Sequence, residues 1–403
     1  MAEQAISGLK VVEYGSFISA PYCAKLMADL GAEVIKVEAP NGGDESRNHG
    51  PFPGDVPHPE RSGLFLYLNT NKLGITLNVK TPTGRKILKE LLKEADVFVE
   101  NNPRRDMADL ELDYPALKEV NPRLIVTSIT PYGQTGAYRD YKGYALNTAA
   151  IGGQSMRTGE SNREPLAPVL SQSHYQSGSM AATATFGALF ARRSGGLGQL
   201  VDISESDVWA TIHLGHGVHL GVFEGRRAIR SGHRTISVYP WAILHCKDGY
   251  MCLIAIQGYQ WKRFLEAMGT PEWMEDPRFR DRILMSWQYA DEVDALVEVW
   301  LIEHTKEEIF EICRERRITF APVRNIDEVA NDPHFEARGF FVEIDRPFTG
   351  VLKYPGAPYQ LSETPWQLKR PAPLFGEHNK EVYCGRLGYS EDDLVKMREG
   401  GII

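Results

Sequence analysis

The first 130 residues alternate short apolar runs with stretches of helical spacing. Leu9 to Tyr14 is a Val-rich run of strand length. Pro21 to Leu30 carries apolar residues at helical spacing and stops at Gly31, a residue suited to the turn after a helix, and Glu33 to Val37 resumes a strand. The same β–α–β pattern then recurs. Ile75 to Val79 predicts a strand, Thr81 caps a helix with Pro82 at its first position, the helix runs through Ala95, and Val97 to Glu100 follows as a strand. A helix over Tyr114 to Val120 leads into a strand over Leu124 to Ser128. Such alternation predicts an α/β protein built on a doubly wound parallel sheet with helices on both faces.

Tyr175 to Arg193 predicts a long helix rich in small residues, among them Ser177, Gly178, Ala181, Ala182, Ala184 and Gly187. Small side chains let neighbouring backbones approach closely, which places this helix centrally. Leu200 to Ile203 follows as a buried strand, helical spacing returns from Val208 to about Phe223, and Arg226 to Arg234 is basic and irregular. The segment from Trp241 to Phe320 has strands of its own (Ala242 to His245, Met251 to Ala255) and helices (Trp261 to Met268, Ala290 to His304, Lys306 to Glu315), as expected of a smaller α+β domain. After Val323 the chain turns rich in Pro, Gly and aromatics, the character of a segment travelling back over the first domain. The expected division is therefore 1–205 for the N-terminal part of the large domain, 206–240 for a linker helix and loop, 241–322 for the small domain and 323–403 for the return.

Composition narrows the function classes. With 45 basic and 53 acidic side chains the formal charge is -8, so general nucleic-acid binding, which needs clustered cations against phosphates, is not expected. Neither a basic-then-apolar leader between Met1 and Lys10 nor a run of 18 apolar residues is present, and the five cysteines form no CxxC pair. A cytoplasmic protein that neither crosses a membrane nor holds zinc is expected. No GxGxxG follows the first strand, where Gly15, Ser16, Phe17 and Ile18 stand, so a nicotinamide or flavin cofactor has no support.

The blocks GLKVVEYGSFISAPYCAKLMADLGAEVIKVEAP, GGDESR, LNTNKLGITLNVK, ADVFVEN, NPRLIVTSITPYGQTG, GLGQLVDIS, CKDGYMCLIA, DPRF, APVRNIDEVANDPHFEARGFFVEI and PLFGEHNKEVY occur in this order along nearly the whole chain. Together they resemble the family III coenzyme A transferases. The resemblance implies two subunits threaded through each other like links, each with a Rossmann-like large domain that takes both chain ends, and acyl-CoA plus a carboxylic acid as substrates. It also implies an enzyme aspartate just before the small-residue helix, which attacks the donor thioester and then carries CoA as its own thioester. Between Pro165 and Val201 this chain has neither Asp nor Glu, and counting back from GLGQ puts His174 at that position. An imidazole has no carbonyl carbon on which to hold CoA.

Three expectations follow from His174. The chain is a subunit of a heteromer whose sister supplies the aspartate; or His174 is the acid or base of an acyl-CoA lyase or isomerase; or the protein binds acyl-CoA without catalysis. Tyr144, in GYALN, resembles the transferase pattern where racemases of the family have a histidine. Implied contacts for CoA are Phe17 and Ile18 after the first strand, Lys72 in LNTNK, Asn101, Asn102 and Arg104 after VFVE, and Lys142 in YKGY. Ala39, Asn102 and Ala108 depart from residues common in the family. Arg226, Arg227, Arg230 and Arg234 are candidates for holding a di-acid, against the alternative of an ordinary charged loop. His213, His216 and His219 sweep around their helix instead of sharing a face, so no metal site is expected there.

Overall fold

The computed structural model describes residues 4–225 and 229–403, and for 212–220 the backbone alone. A six-stranded sheet is built from β1 (Lys10–Tyr14), β2 (Glu33–Glu38), β3 (Lys72–Thr76), β4 (Val97–Glu100), β5 (Ile125–Thr130) and β6 (Leu200–Ser204). All pairings are parallel and the spatial order is β3-β2-β1-β4-β5-β6. Val12 stands opposite Ile35 on one side and Phe98 on the other. Helices cover both faces, so these strands are apolar runs and not alternating ones.

The helices are α1 (Ser19–Asp29), α2 (Gly63–Leu68), α3 (Pro82–Leu92), α4 (Arg104–Asp109), α5 (Tyr114–Val120), α6 (Ala145–Ile151), α7 (Gln172–Gly195) and α8 (Glu205–Glu224). On one face Ile87, Leu88 and Leu117 pack with Val12, Phe98 and Val126, joined by Val382, Tyr383 and Met397 from the C-terminal tail. On the other, Ala20, Ala24 and Met27 of α1 and Ala181, Ala182 and Ala188 of α7 cover Val11, Val97 and Ile125. The small residues of α7 do what their size permits. A side chain at Gly178 would put its Cβ 2.7 Å from the Ser19 carbonyl oxygen, so only glycine allows α1 and α7 to cross this closely.

The chain divides into two units. The first comprises Met1–Gln154, Ala167–His219 and Glu336–Ile403, and so contains both chain ends. It also carries an antiparallel pair in its C-terminal part. The second comprises Ser155–Leu166 and Leu220–Phe335. Its antiparallel strands β7 (Trp241–Cys246), β8 (Gly249–Ile254) and β9 (Ala321–Pro322) pack with Phe264, Val297, Ile309 and Phe320 in a core of its own. Back in the first unit, β10 (Phe341–Arg346) pairs with β11 (Gly350–Pro355). The inclusion of 155–166 in the second unit has a local cause: the Arg230 guanidinium donates to the carbonyls of Glu160 and Arg163. Among the described residues no helix is long and apolar enough to cross a membrane.

Two boundaries differ from expectation in ways that matter. Strand β3 begins at Lys72, not Ile75, because Lys72 is a fully buried strand residue and not a surface charge. Helix α7 begins at Gln172, immediately after Ser171, which puts His174 in the first turn and not before it.

Lys72 belongs to a buried ionic network under the sheet's carboxyl edge. Its ammonium donates to the Pro21 carbonyl (2.8 Å) and Asn69 Oδ1 (2.9 Å) and lies 2.7 Å from Glu13 Oε2. Lys36 bridges Glu13 (2.7 Å) and Asp44 (2.6 Å). Arg47 grips Glu38 with two nitrogens (2.7 and 2.8 Å) and reaches Glu60 (3.1 Å), which Arg346 also holds (2.6 Å). Burial draws the Lys72 pKa down to about 8, with Glu13 pulling the other way. For Lys36 burial opposes the charge too, but Asp44 and then Glu13 outweigh it and raise the pKa.

Removing one partner of a buried ion pair leaves the other uncompensated and typically costs about 3–5 kcal/mol. Lys72→Met is therefore expected to lower unfolding stability by that order, read from a shifted urea midpoint. A loss below about 1 kcal/mol would show that Glu13 does not need its second cation.

Candidate active site

The strand order reverses between β1 and β4, and in sheets of this kind the crevice outside the carboxyl ends at that reversal is where ligands bind. The loop leaving β1 brings Gly15, Ser16, Phe17 and Ile18 there. Phe17 has φ of 68°, a left-handed conformation that is strained for a bulky side chain and costs on the order of 1–3 kcal/mol. The conformation is over-determined by its neighbours. The Phe17 amide donates to Asp44 Oδ1 (3.0 Å), the Ser16 amide to Asn101 Oδ1 (2.9 Å), and Asn101 Nδ2 returns a bond to the Ser16 carbonyl (2.8 Å). Asn102 Nδ2 donates to the Tyr14 carbonyl (2.7 Å), so both asparagines after β4 tie the end of β1 in place.

Phe17 presents its ring to the crevice edge-on against His174, with centroids 5.7 Å apart, and against His49 at 4.9 Å. Ile18 turns the other way and is 2% exposed, so its side chain belongs to the core. Lys72, expected at the nucleotide, has its ammonium wholly engaged inside the protein, as described above, and supports the floor instead of facing a ligand.

His174 enters from the first turn of α7. Its Nδ1 lies 2.7 Å from Glu205 Oε1. Glu205 is the first residue of α8, immediately beyond β6, so the carboxyl end of a third strand contributes to the same place. The two side chains are buried to different depths, 3% exposed for Glu205 and 14% for His174, so the acid stands behind the imidazole. Glu205 Oε2 has no hydrogen-bond partner among the described residues. Burial, and then the Glu205 charge, push the Tyr132 phenol above its ordinary pKa. Sequence reasoning missed Glu205 because the acid-free stretch was followed only as far as Val201. Its place directly after a predicted strand was the available signal.

Next to His174, Ser173 Oγ donates to the Ala145 carbonyl (2.8 Å) and accepts from the Trp209 indole N–H. This fixes the start of α6 beside α7 and so brings Tyr144 into the neighbourhood. Tyr144 itself is 72% exposed, and its amide donates to Asn147 Oδ1 (3.0 Å). Arg104 and Arg105 both pair with Asp140 (3.0 and 3.2 Å), Arg139 lies 3.6 Å from the same carboxylate, and exposed Lys142 follows two residues on. Three cations, from the segments after β4 and β5, thus gather around one acid.

Of the basic stretch, Arg226 and Arg227 lie outside the described residues. Arg230 is occupied by carbonyls, and Arg234 by Asp291 (2.6 Å) and Asp294 (2.5 Å), so neither is available to a di-acid. The side chains of His213, His216 and His219 also lie outside the described residues. Among those described, no group of three or more His, Cys, Asp or Glu could hold a metal.

Residues 6–379 match the family described as CoA-transferase family III. A succinate–glutarate CoA-transferase of Agrobacterium fabrum is 30% identical over 94% of this chain and 94% of its own length. The BbsE subunit of the succinyl-CoA:(R)-benzylsuccinate CoA-transferase of Thauera aromatica is 32% identical over 98% of each. Among solved structures, a CAIB/BAIF family protein from Brucella suis superposes with a TM-score of 0.86 at 28% identity, covering 95% of this chain and 99% of that one. The fold is that of a coenzyme A transferase, with acyl-CoA as substrate. The chain belongs to CoA-transferase family III.

Glu100, at the end of β4, lies at a cavity of about 220 Å³ together with Ser128, Gln134 and Arg104. Burial raises its pKa from 4.5 to about 7, although Ser128 and the Asn102 amide partly offset the shift. Between those values the folded protein holds a proton that the unfolded chain has released, so this group's contribution to stability falls as pH rises across that window. Glu100→Gln removes the titration and keeps an acceptor for Asn102. Above pH 7 the variant is expected to be more stable than the wild type by up to about 3 kcal/mol, with the gain vanishing below pH 4.5. Melting curves at pH 5 and 8 check this; a variant no more stable at pH 8 would contradict it.

Proposed function

We propose that this chain serves CoA transfer from an acyl-CoA donor, succinyl-CoA by preference, to a carboxylic acid, as the subunit that lacks the nucleophile in a heteromeric enzyme. The observation that carries the reading is His174 in the first turn of α7, at the mouth of the crevice where the family mechanism needs a carboxylate. In that mechanism the enzyme carboxylate attacks the thioester carbonyl and expels CoA thiolate, leaving a mixed anhydride. The thiolate then attacks the enzyme's carbonyl carbon, so the acyl group departs as a free acid and the enzyme holds CoA. The acceptor acid reverses both steps. An imidazole can perform only the first half, so a homologous sister chain in an interlocked pair supplies the carrier.

Both relatives named above take part in transfer involving succinate or succinyl-CoA, and one is a subunit by name, which supports donor and assembly alike. In this reading the cations Arg104, Arg105, Arg139 and Lys142 receive the CoA phosphates, since guanidinium forks suit phosphate oxygens. Phe17, Asn101 and Asn102 shape the crevice that leads to the thioester, and Tyr144 faces the acyl group. The enzyme works in the cytoplasm, with no metal.

The isolated chain is expected to transfer no CoA from succinyl-CoA to an acid such as benzylsuccinate, whereas a mixture with a homologous chain carrying Asp at this position does. Transfer by the isolated chain would refute the subunit reading. Restoring the acid by His174→Asp would set it against Glu205, and two carboxylates this close cannot both ionise. His174→Asp is therefore expected to remain poorly active alone, and the double variant with Glu205→Gln to gain CoA transfer at least about tenfold over it, since removing the neighbouring charge lets the introduced carboxylate ionise as a nucleophile. Equal activity of the two variants would show that Glu205 does not reach the carrier position.

A further inference from the structure

Transfer of CoA between carboxylates moves no proton: each attacking group is already an anion and each leaving group departs as one. The crevice nevertheless holds a proton-handling pair. Glu205, buried behind the ring, takes Nδ1 of His174 at 2.7 Å, which leaves Nε2 as the nitrogen free to exchange a proton. A carboxylate behind an imidazole is the arrangement that fixes the tautomer of a general base and stabilises its protonated form. The second Glu205 oxygen is buried and without a hydrogen-bond partner among the described residues. The ring also sits in the first turn of a 24-residue helix, whose positive end favours an oxyanion developing in front of it.

We propose that the His174–Glu205 pair makes this chain an acyl-CoA hydrolase in its own site, with water as the acceptor. Nε2 takes a proton from water as the water oxygen bonds to the thioester carbonyl carbon. The tetrahedral intermediate collapses with cleavage of the carbon–sulfur bond, and the imidazolium returns the proton to the departing thiolate. The products are the free carboxylic acid and CoA thiol, with atoms and charge balanced. His174 is the catalytic residue. Glu205 is a positioning residue that acts through it. The activity requires one chain and water, so it stands or falls separately from transfer, which requires a second chain.

The test uses the full chain purified alone, with succinyl-CoA as probe in water enriched in oxygen-18, following thiol release above the enzyme-free rate. The wild type is expected to release thiol and place the label in the succinate. His174→Ala is expected to lose about 100-fold, the usual contribution of a positioned base, and to regain part of the rate when imidazole is added. Glu205→Gln is expected to lose at least about tenfold while binding succinyl-CoA unchanged, since it removes only the charge behind the base. If His174→Ala melts early, His174→Gln serves the same comparison. Wild-type thiol release no faster than the enzyme-free rate overturns the proposal. So does a rate unchanged in the His174 variants, the absence of any imidazole response, or label recovered in the Glu205 side chain, which would make the acid a nucleophile.

Discussion

Everything at the mouth of the crevice rests on Asp44. It accepts the buried Lys36 ammonium with one oxygen and the Phe17 amide with the other, and so couples a charge network to the backbone of the loop that forms the site. Glu13, Asp44, Glu38 and Glu60 face Lys36, Lys72, Arg47 and Arg346, four acids against four bases, so this network is balanced in formal charge. Single members of such a set are expensive to bury alone and acceptable together. The strain at Phe17 persists because the network and Asn101 leave the loop no alternative. Arg346 and the Pro373 carbonyl, which accepts from both arginines, extend the same set into the C-terminal tail. The return of the chain over the large unit is thus connected to the shape of the site.

On that frame three strand ends and one helix start converge. The loop after β1 gives Phe17, the end of β4 gives the two asparagines, the end of β6 gives Glu205, and α7 gives His174. The frame is that of CoA-transferase family III, and the first turn of its central helix carries an imidazole. A carboxylate at the helix start would hold CoA as a thioester, whereas an imidazole backed by a carboxylate moves protons. Placing Glu205 within 2.7 Å of His174 also explains why a simple exchange of His for Asp would not rebuild the family site, because the adjoining acid would oppose it.

The parallel sheet was legible because its strands are buried on both faces and read as unbroken apolar runs; Val97–Glu100 and the helix Tyr114–Val120 match to the residue. Strand β3 was displaced because Lys72 and Gly74 look like surface residues. The acid that makes Lys72 acceptable in the interior, Glu13, sits on another strand, and no local pattern reports such a pairing. The site was half legible. Phe17, Asn101, Asn102 and His174 do meet at the crevice, since a motif fixes positions relative to strand ends. Ile18 and Lys72 share those motifs but point inward, because motif matching says nothing about which way a side chain faces. Glu205 was invisible to a search for one acid in one window, although an acid directly after a buried strand is placed by topology at the same edge.

The proposed function depends on His174, at the position where the family mechanism uses an aspartate, being unable to carry CoA covalently, and on Glu205 standing behind it as its partner and not as a carrier. Its most direct test is the intact mass of the isolated protein after incubation with succinyl-CoA and rapid acid quenching. The unmodified mass is expected at every time point. A species heavier by one CoA moiety, wherever on the chain it maps, would contradict it.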